Sequence, residues 1–286
     1  FPKLHALEQR WGSLIKGQVL GGRERRRLKE EAKNTAKSFS FSGGMQALTD
    51  ALAAAVAPVA LDTRVTRLER DAQGVFTLDA LTAGQPARWR ARAVVLATPA
   101  DSAAALLREH AGDAAAALDA IDYAPVAAVA TAYAQGDIGH ALDGFGCLVP
   151  RREGRKVLGI LFSSSMFEGR AGPGTALLTT FVGGLRQPRL PGLPEDEIAA
   201  LVQAEHRALL GTRGSPLFER VTRWPRAIPQ YTLGHLGRVA RAEAAQRALP
   251  GLHFCANWKG GVSVGDCIKN GHLTAAAVTA ELRTRA

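Results

Sequence analysis

The sequence predicts an α+β fold, and three observations carry that reading. Short β-type runs cluster in two blocks, 59–97 and 126–181. Segments with apolar residues at helical period lie before, between and after those blocks. The 286 residues are 47% apolar and 22% charged, enough to build a core and too apolar for a disordered chain.

In chain order, Leu4, Leu7, Trp11, Leu14 and Ile15 mark one face of a helix over 3–19, with Gly21-Gly22 as its stop. A charged cluster of Arg23, Arg25, Arg26, Arg27, Lys29, Glu30, Glu31 and Lys33 follows. The run Ser38-Phe-Ser-Phe-Ser-Gly43-Gly44 then leads to a helix from Met45 to Val56. Strands are expected at Val59–Leu61, Val65–Glu69, Val75–Leu81, Arg88–Ala91 and Ala93–Ala97. The middle three alternate as a meander with one solvated face, and Val94-Val95-Leu96 reads as buried on both. Helices are expected at Asp101–Glu109 and Asp113–Ile121, then strands near 126–134, 145–149, 157–163 and 175–182. A helix from Glu195 to Leu210 begins behind Pro194 with acids in its first turn, as the helix dipole prefers. A strand near 217–223 runs into Trp224-Pro-Arg-Ala-Ile-Pro-Gln-Tyr231, whose two prolines predict a shaped loop. The remaining elements are a helix over 237–249, a strand Leu252–Ala256 and a helix from Gly265 to Arg283.

Composition narrows the function classes. Lys plus Arg is 36 against 26 acids, a formal charge of +10. Most of the excess is dispersed arginine, and the dense cluster alternates with acids at spacings that satisfy it locally. No aromatic residues interleave with it, so a nucleic-acid stacking platform is missing. Cys147, Cys255 and Cys267 form no CxxC and no disulfide framework, which favours a reducing, intracellular compartment. The Ala-rich stretch Ala51–Leu61 is broken by Pro58 and is too short to span a membrane. Seven histidines lack HxH or HxxxH spacing, so no metal site is expected. No GxSxG, Walker sequence or GxGxxG is present.

The informative segment is Leu252-His-Phe-Cys-Ala-Asn257-Trp-Lys-Gly260-Gly261-Val262-Ser263-Val264-Gly265-Asp266-Cys267-Ile268. A buried strand runs through a double-glycine loop straight into a long helix. Glycines let backbone approach a ligand closely, and the first helical turn offers free N–H groups with partial positive charge. Such an end suits an electron-rich ring edge, and equally a helix start that is merely solvated or capped through Asp266.

This segment resembles the flavin-contacting motif of the protoporphyrinogen oxidases, within the wider flavin amine-oxidase superfamily. Other matches fall in the same order: Phe39-Ser-Phe-Ser-Gly43-Gly44-Met45, Asp62-Thr-Arg-Val65, Val94-Val-Leu-Ala-Thr-Pro99, Gly144-Phe-Gly-Cys-Leu-Val-Pro150, Leu158-Gly-Ile-Leu-Phe-Ser-Ser164, Thr180-Phe-Val-Gly-Gly184 and Trp224 through His235. Together they cover essentially the entire chain. The resemblance implies an α/β-type FAD-binding domain, here incomplete, with an inserted mixed-sheet substrate domain. It divides the chain into 1–37, part of a helical membrane-binding region; 38–100 and 250–286, segments of the FAD domain; and 101–249, the substrate domain.

It also implies residue roles. Val65 would contact the adenine end of FAD through its backbone, and Asn257, Val262, Ser263 and Val264 would line the isoalloxazine. Phe145, Leu148, Leu161 and Phe181 would wall a flat tetrapyrrole, with Gly146 near the oxidised carbon. The implied reaction is FAD-dependent oxidation of protoporphyrinogen IX to protoporphyrin IX with oxygen as acceptor, in haem biosynthesis, with no dedicated catalytic base. An arginine or lysine at the mouth would pair with the substrate carboxylates. Coproporphyrinogen III oxidation, another amine-oxidase-type flavoenzyme and a non-catalytic remnant are the alternatives. The family opens with a GxGxxG turn that holds the FAD pyrophosphate. This chain lacks it, and Phe1-Pro-Lys-Leu resembles a point well inside the family sequence, so an N-terminally truncated sequence is expected. A cytoplasmic protein is expected, peripheral on the inner face of the cell membrane, and the resemblance admits a membrane surface and a homodimer among its partners but no nucleic acid.

Overall fold

The computed structural model describes residues 8–27, 38–56 and 58–285. Leu4, Leu7, and the charged residues Lys29 through Lys33 lie outside them. Contacts divide the chain into two units, Phe1–Ala57 and Pro58–Ala286.

The smaller unit is helical: α1 spans Leu14–Arg27 and α2 spans Gln46–Val56. Gly12, at φ 67°, closes a helical turn over 8–11 through its N–H to the Glu8 carbonyl (2.7 Å) and breaks the expected continuous helix. Gly21-Gly22 does not stop α1, which continues into the arginine run. A glycine pair weakens a helix by about 1 kcal/mol per residue, and arginine, a good helix former, offsets it. Before α2, Phe39 and Phe41 meet edge to face at 6.2 Å.

The larger unit begins with an antiparallel meander of β1 (Thr63–Arg70), β2 (Phe76–Thr82) and β3 (Gln85–Ala91). Val59–Leu61 is not a strand: among the described residues it joins no sheet, and Asp62 turns the chain at φ 49° before β1. A parallel pair follows, β4 (Val94–Leu96) with β10 (Leu252–Phe254), in register at Val94↔Leu252 and Leu96↔Phe254. Val94 and Leu96 are buried but Val95 is 42% exposed, because among the described residues this two-stranded sheet is covered on one face alone. Its buried side joins α3 (Ala100–Leu107), α4 (Gly112–Asp119), α7 (His235–Ala248) and Trp258 in one core.

The third sheet has five strands in the order β6 (Gly146–Leu148), β7 (Val157–Leu161), β8 (Thr175–Gly183), β5 (Tyr123–Ala134) and β9 (Phe218–Pro229). All four pairings are antiparallel. A helical turn, α5 (Ser163–Met166), follows β7, and α6 (Glu195–Leu210) packs on one face through Ile198 and Val202 against Val129, Val157 and Val182. Behind that packing His206 is fully buried between Thr180 Oγ1 (2.7 Å) and the Tyr133 hydroxyl (3.2 Å).

β9 corrects the sequence expectation. It continues past Pro225 to Pro229 instead of breaking into a loop at Trp224. It is the sheet's edge strand, where proline withholds no ladder hydrogen bond on its outer side. The pairing jumps from Val126↔Trp224 to Ala124↔Ile228, so a bulge absorbs Pro225. The last helix, α8, spans Val264–Thr284 and has no buried residue.

Candidate functional site

β4 and β10 are parallel, so the loops leaving their C-terminal ends open on the same side, where ligands of parallel sheets bind. Ala97 and Pro99 from one loop, and Cys255, Ala256 and Asn257 from the other, line an open cleft with Cys267 and Asn270 of α8. Trp258 holds the loops together. Its ring is fully buried, its Nε1–H donates to the Thr98 carbonyl (3.2 Å), and its own carbonyl faces His235 Nε2 (2.9 Å). A carbonyl only accepts, so His235 carries its proton on Nε2. Burial lowers the His235 pKa, which keeps the ring neutral.

The turn into α8 is set by backbone. Gly261 sits at φ 133°, and a Cβ there would run into the Asp266 side chain; at Gly260 it would meet Asn270. Ser263 is the N-cap: its Oγ accepts from the Asp266 N–H (3.1 Å) and donates to Asp266 Oδ2 (2.7 Å). Both the serine cap and the acid expected from sequence therefore take part. Among the described residues the N–H groups of Val264 and Gly265 have no acceptor, and Val262 (48%) and Val264 (55%) are exposed. Asn257, Val262, Ser263 and Val264 thus fall on one short turn beside the cleft. Val65 lies apart from them, half-buried on β1 opposite Ala80.

The double-glycine turn tests whether a flavin fits. Its side chains are withdrawn at the approach to α8, and two free N–H groups lie at a helix start, a donor set suited to an electron-rich edge. Thr98 Oγ1, between two cleft-lining residues, is buried without a partner. These features fit the group.

The expected substrate residues come together on the five-stranded sheet. Register aligns Leu148, Gly159, Phe181, Ala128 and Thr222 in one row across the strands. A second row holds Gly146, Leu161, Thr179, Ala130 and Arg220. Both rows lie on the face away from α6, because the alternating partners Val182, Thr180, Val129 and Val221 pack toward that helix. Ala128 and Ala130 form a low floor between the larger side chains on β8 and β9. Gly146 keeps its end flat: at φ 145°, a Cβ would strike the Ile160 carbonyl. Leu148 is 88% exposed and Phe145, just before β6, 57%; Leu161 and Phe181 are half-buried.

The link between the five-stranded sheet and the turn before α8 is Tyr231, a residue with no role expected from sequence. Directly after β9, its hydroxyl donates to the Asn257 carbonyl (2.7 Å) and accepts from the Gly261 N–H (3.2 Å), and its ring stacks on His235 at 4.1 Å. Burial raises the Tyr231 pKa, so it stays protonated and able to donate. Its signal lay in the proline-flanked motif that reads as a loop. The alanine floor was visible in Val126-Ala-Ala-Val-Ala-Thr-Ala132, where small residues recur on one strand.

Residues 1–279 match the family of flavin-containing amine oxidoreductases. The mitochondrial protoporphyrinogen oxidase of Nicotiana tabacum is 31% identical over 293 residues, covering 95% of this chain and 58% of that protein. A coproporphyrinogen III oxidase of Propionibacterium freudenreichii is 35% identical over 234 residues, 81% of this chain and 42% of that one. The chain spans a little over half the length of the tobacco relative. Among solved structures, a candidate protoporphyrinogen oxidase from Exiguobacterium sp. 255-15 superposes with a TM-score of 0.75 at 22% identity, over 99% of this chain and 58% of that one.

Proposed function

The chain belongs to the flavin-containing amine oxidoreductase family, and from that premise we propose that it serves FAD-dependent oxidation of a porphyrinogen in haem biosynthesis. The substrate is protoporphyrinogen IX, the product protoporphyrin IX and the electron acceptor oxygen. The observation that carries this reading is the open face of the five-stranded sheet. Gly146, Leu148, Leu161 and Phe181 share it, and its edge strand is hydrogen-bonded through Tyr231 to the turn before α8.

FAD supplies the two-electron acceptor when bound. Asn257, Val262, Ser263 and Val264 line its ring, and Val65 meets its adenine end. The N–H groups of Val264 and Gly265 stabilise negative charge at the ring edge, the end of a helix that favours it. Leu161, Phe181 and Phe145 bind the macrocycle by apolar contact, while the alanine floor lets a flat ring lie close to backbone. Tyr231 keeps sheet and turn in fixed relation, so orientation is inherited from the fold. The division into cofactor segments 38–100 and 250–286 and a substrate domain 101–249 is part of this proposal. In the smaller unit α1 exposes Leu14, Ile15 and Val19, which supports peripheral attachment to an anionic membrane surface. No helix among the described residues is long and apolar enough to cross a membrane.

Anaerobic addition of protoporphyrinogen to the flavin-loaded protein should bleach the flavin absorbance. A flavin spectrum that stays unchanged defeats the reading. The Propionibacterium relative favours coproporphyrinogen III as a second substrate, and the same assay run with each porphyrinogen separates the two.

A further inference from the structure

β9 brings three arginines to the sheet, and two are committed elsewhere. Arg223 turns toward α6, donating to the carbonyls of Pro191 (3.1 Å) and Leu193 (2.9 Å) and approaching the Glu195 carboxylate at 3.7 Å. Arg226 pairs with Asp101 and lies over the Tyr123 ring at 5.1 Å. Arg220 does neither. Among the described residues its side chain has no ion pair and no hydrogen bond. Its neighbours fix its side: Glu219 accepts from Gln203 of α6 (3.3 Å) and Val221 packs into the core beneath that helix, so alternation sends Arg220 to the open face. There it is the single charged residue among those the register aligns. It shares the row of Ala130, Thr179, Leu161 and Gly146, three strand spacings or about 14 Å from Leu161.

We propose that Arg220 binds a carboxylate of the substrate, anchoring one edge of a carboxylate-bearing macrocycle at β9 while Leu161 and Phe181 hold its rings. This rests on the porphyrinogen reading and adds to it the group that sets the ring's orientation. A guanidinium presents a planar fork that matches a carboxylate with two hydrogen bonds. Bordered by Phe218 and the alanine floor, that pair is less screened than on an open polar surface. With no protein partner to release, Arg220 is available at no cost to the fold.

The test titrates the protein with a dicarboxylic porphyrin and with its dimethyl ester, following fluorescence quenching. The wild-type chain should bind the acid about tenfold more tightly than the ester. Arg220→Gln should bind the acid no better than the ester, with ester affinity and thermal midpoint unchanged, and Arg220→Lys should recover part of the preference. An acid preference surviving in Arg220→Gln overturns the assignment. So does an equal loss for acid and ester, since a carboxylate contact cannot act on an ester. If neither porphyrin binds the wild-type chain, the porphyrinogen reading itself fails, a result distinct from both.

Discussion

The cleft beside β4 and β10 and the open face of the five-stranded sheet are built on opposite principles. The first is shaped mainly by backbone, through parallel strand ends, a double glycine and a helix start, held in place by the Ser263 cap and the buried Trp258 indole that ties two loops. The second is made of side chains that cover nothing. One face of the sheet is filled by α6 and the other is left to glycine, alanine, threonine, leucine, phenylalanine and one arginine. The contrast teaches that the buried and glycine positions around the cleft carry the fold as well as its shape, whereas side chains on the open face of the sheet can change with little cost to stability.

Substitutions should reproduce that division. Trp258→Ala should cost about 3–5 kcal/mol, since it empties a fully buried site and removes the bond to Thr98. Urea unfolding would measure it, and a loss under 1 kcal/mol would break the comparison. The packed side of the sheet has its own signature in His206, whose pKa burial lowers from 6.5 to about 4. The unfolded chain takes up this proton first as pH falls. The stability tied to the neutral ring is therefore complete above about pH 6.5 and is lost progressively toward pH 4, up to about 3 kcal/mol. Subtracting the pH–stability curve of His206→Gln from that of the wild type should isolate this slope. Ser263→Ala should cost about 1 kcal/mol through the lost cap and weaken flavin binding in an absorbance titration. Leu148→Ala, at a side chain 88% exposed, should shift the thermal midpoint almost not at all, within about 0.5 kcal/mol, yet weaken porphyrin binding several-fold. Should that variant unfold as readily as Trp258→Ala, the substrate face is structural after all.

The same division explains what was legible in the sequence. The double glycine at 260 and 261 could be read directly as a local signal with a local cause, while the cap proved to be Ser263, with Asp266, the residue expected in that role, as its partner. Most elements from 63 onward followed from periodicity, including the helix Glu195–Leu210 to the residue, but β5 starts earlier than expected, at Tyr123, and Ser163–Met166 form a helical turn where a strand end was expected. What escaped depends on distant partners. The continuation of β9 through Pro225 requires knowing that it is an edge strand; Val95 is exposed because its sheet has two strands; and Gly21-Gly22 is helical because the following residues sustain α1. Tyr231 and Arg220 belong to the same class. Nothing near them in the chain marks the tyrosine as a bridge to Asn257, or the arginine as the unpaired one of three.

Proline placement on β9 has one more consequence, for self-association. A sheet margin normally offers a row of N–H and C=O groups to any extended chain that comes alongside. Here Pro225 and Pro229 remove donors from that row, and the bulge between Trp224 and Ile228 bends what is left. A second chain cannot zip continuously along β9, so this margin of the sheet resists edge-to-edge pairing while the apolar face beside it stays open.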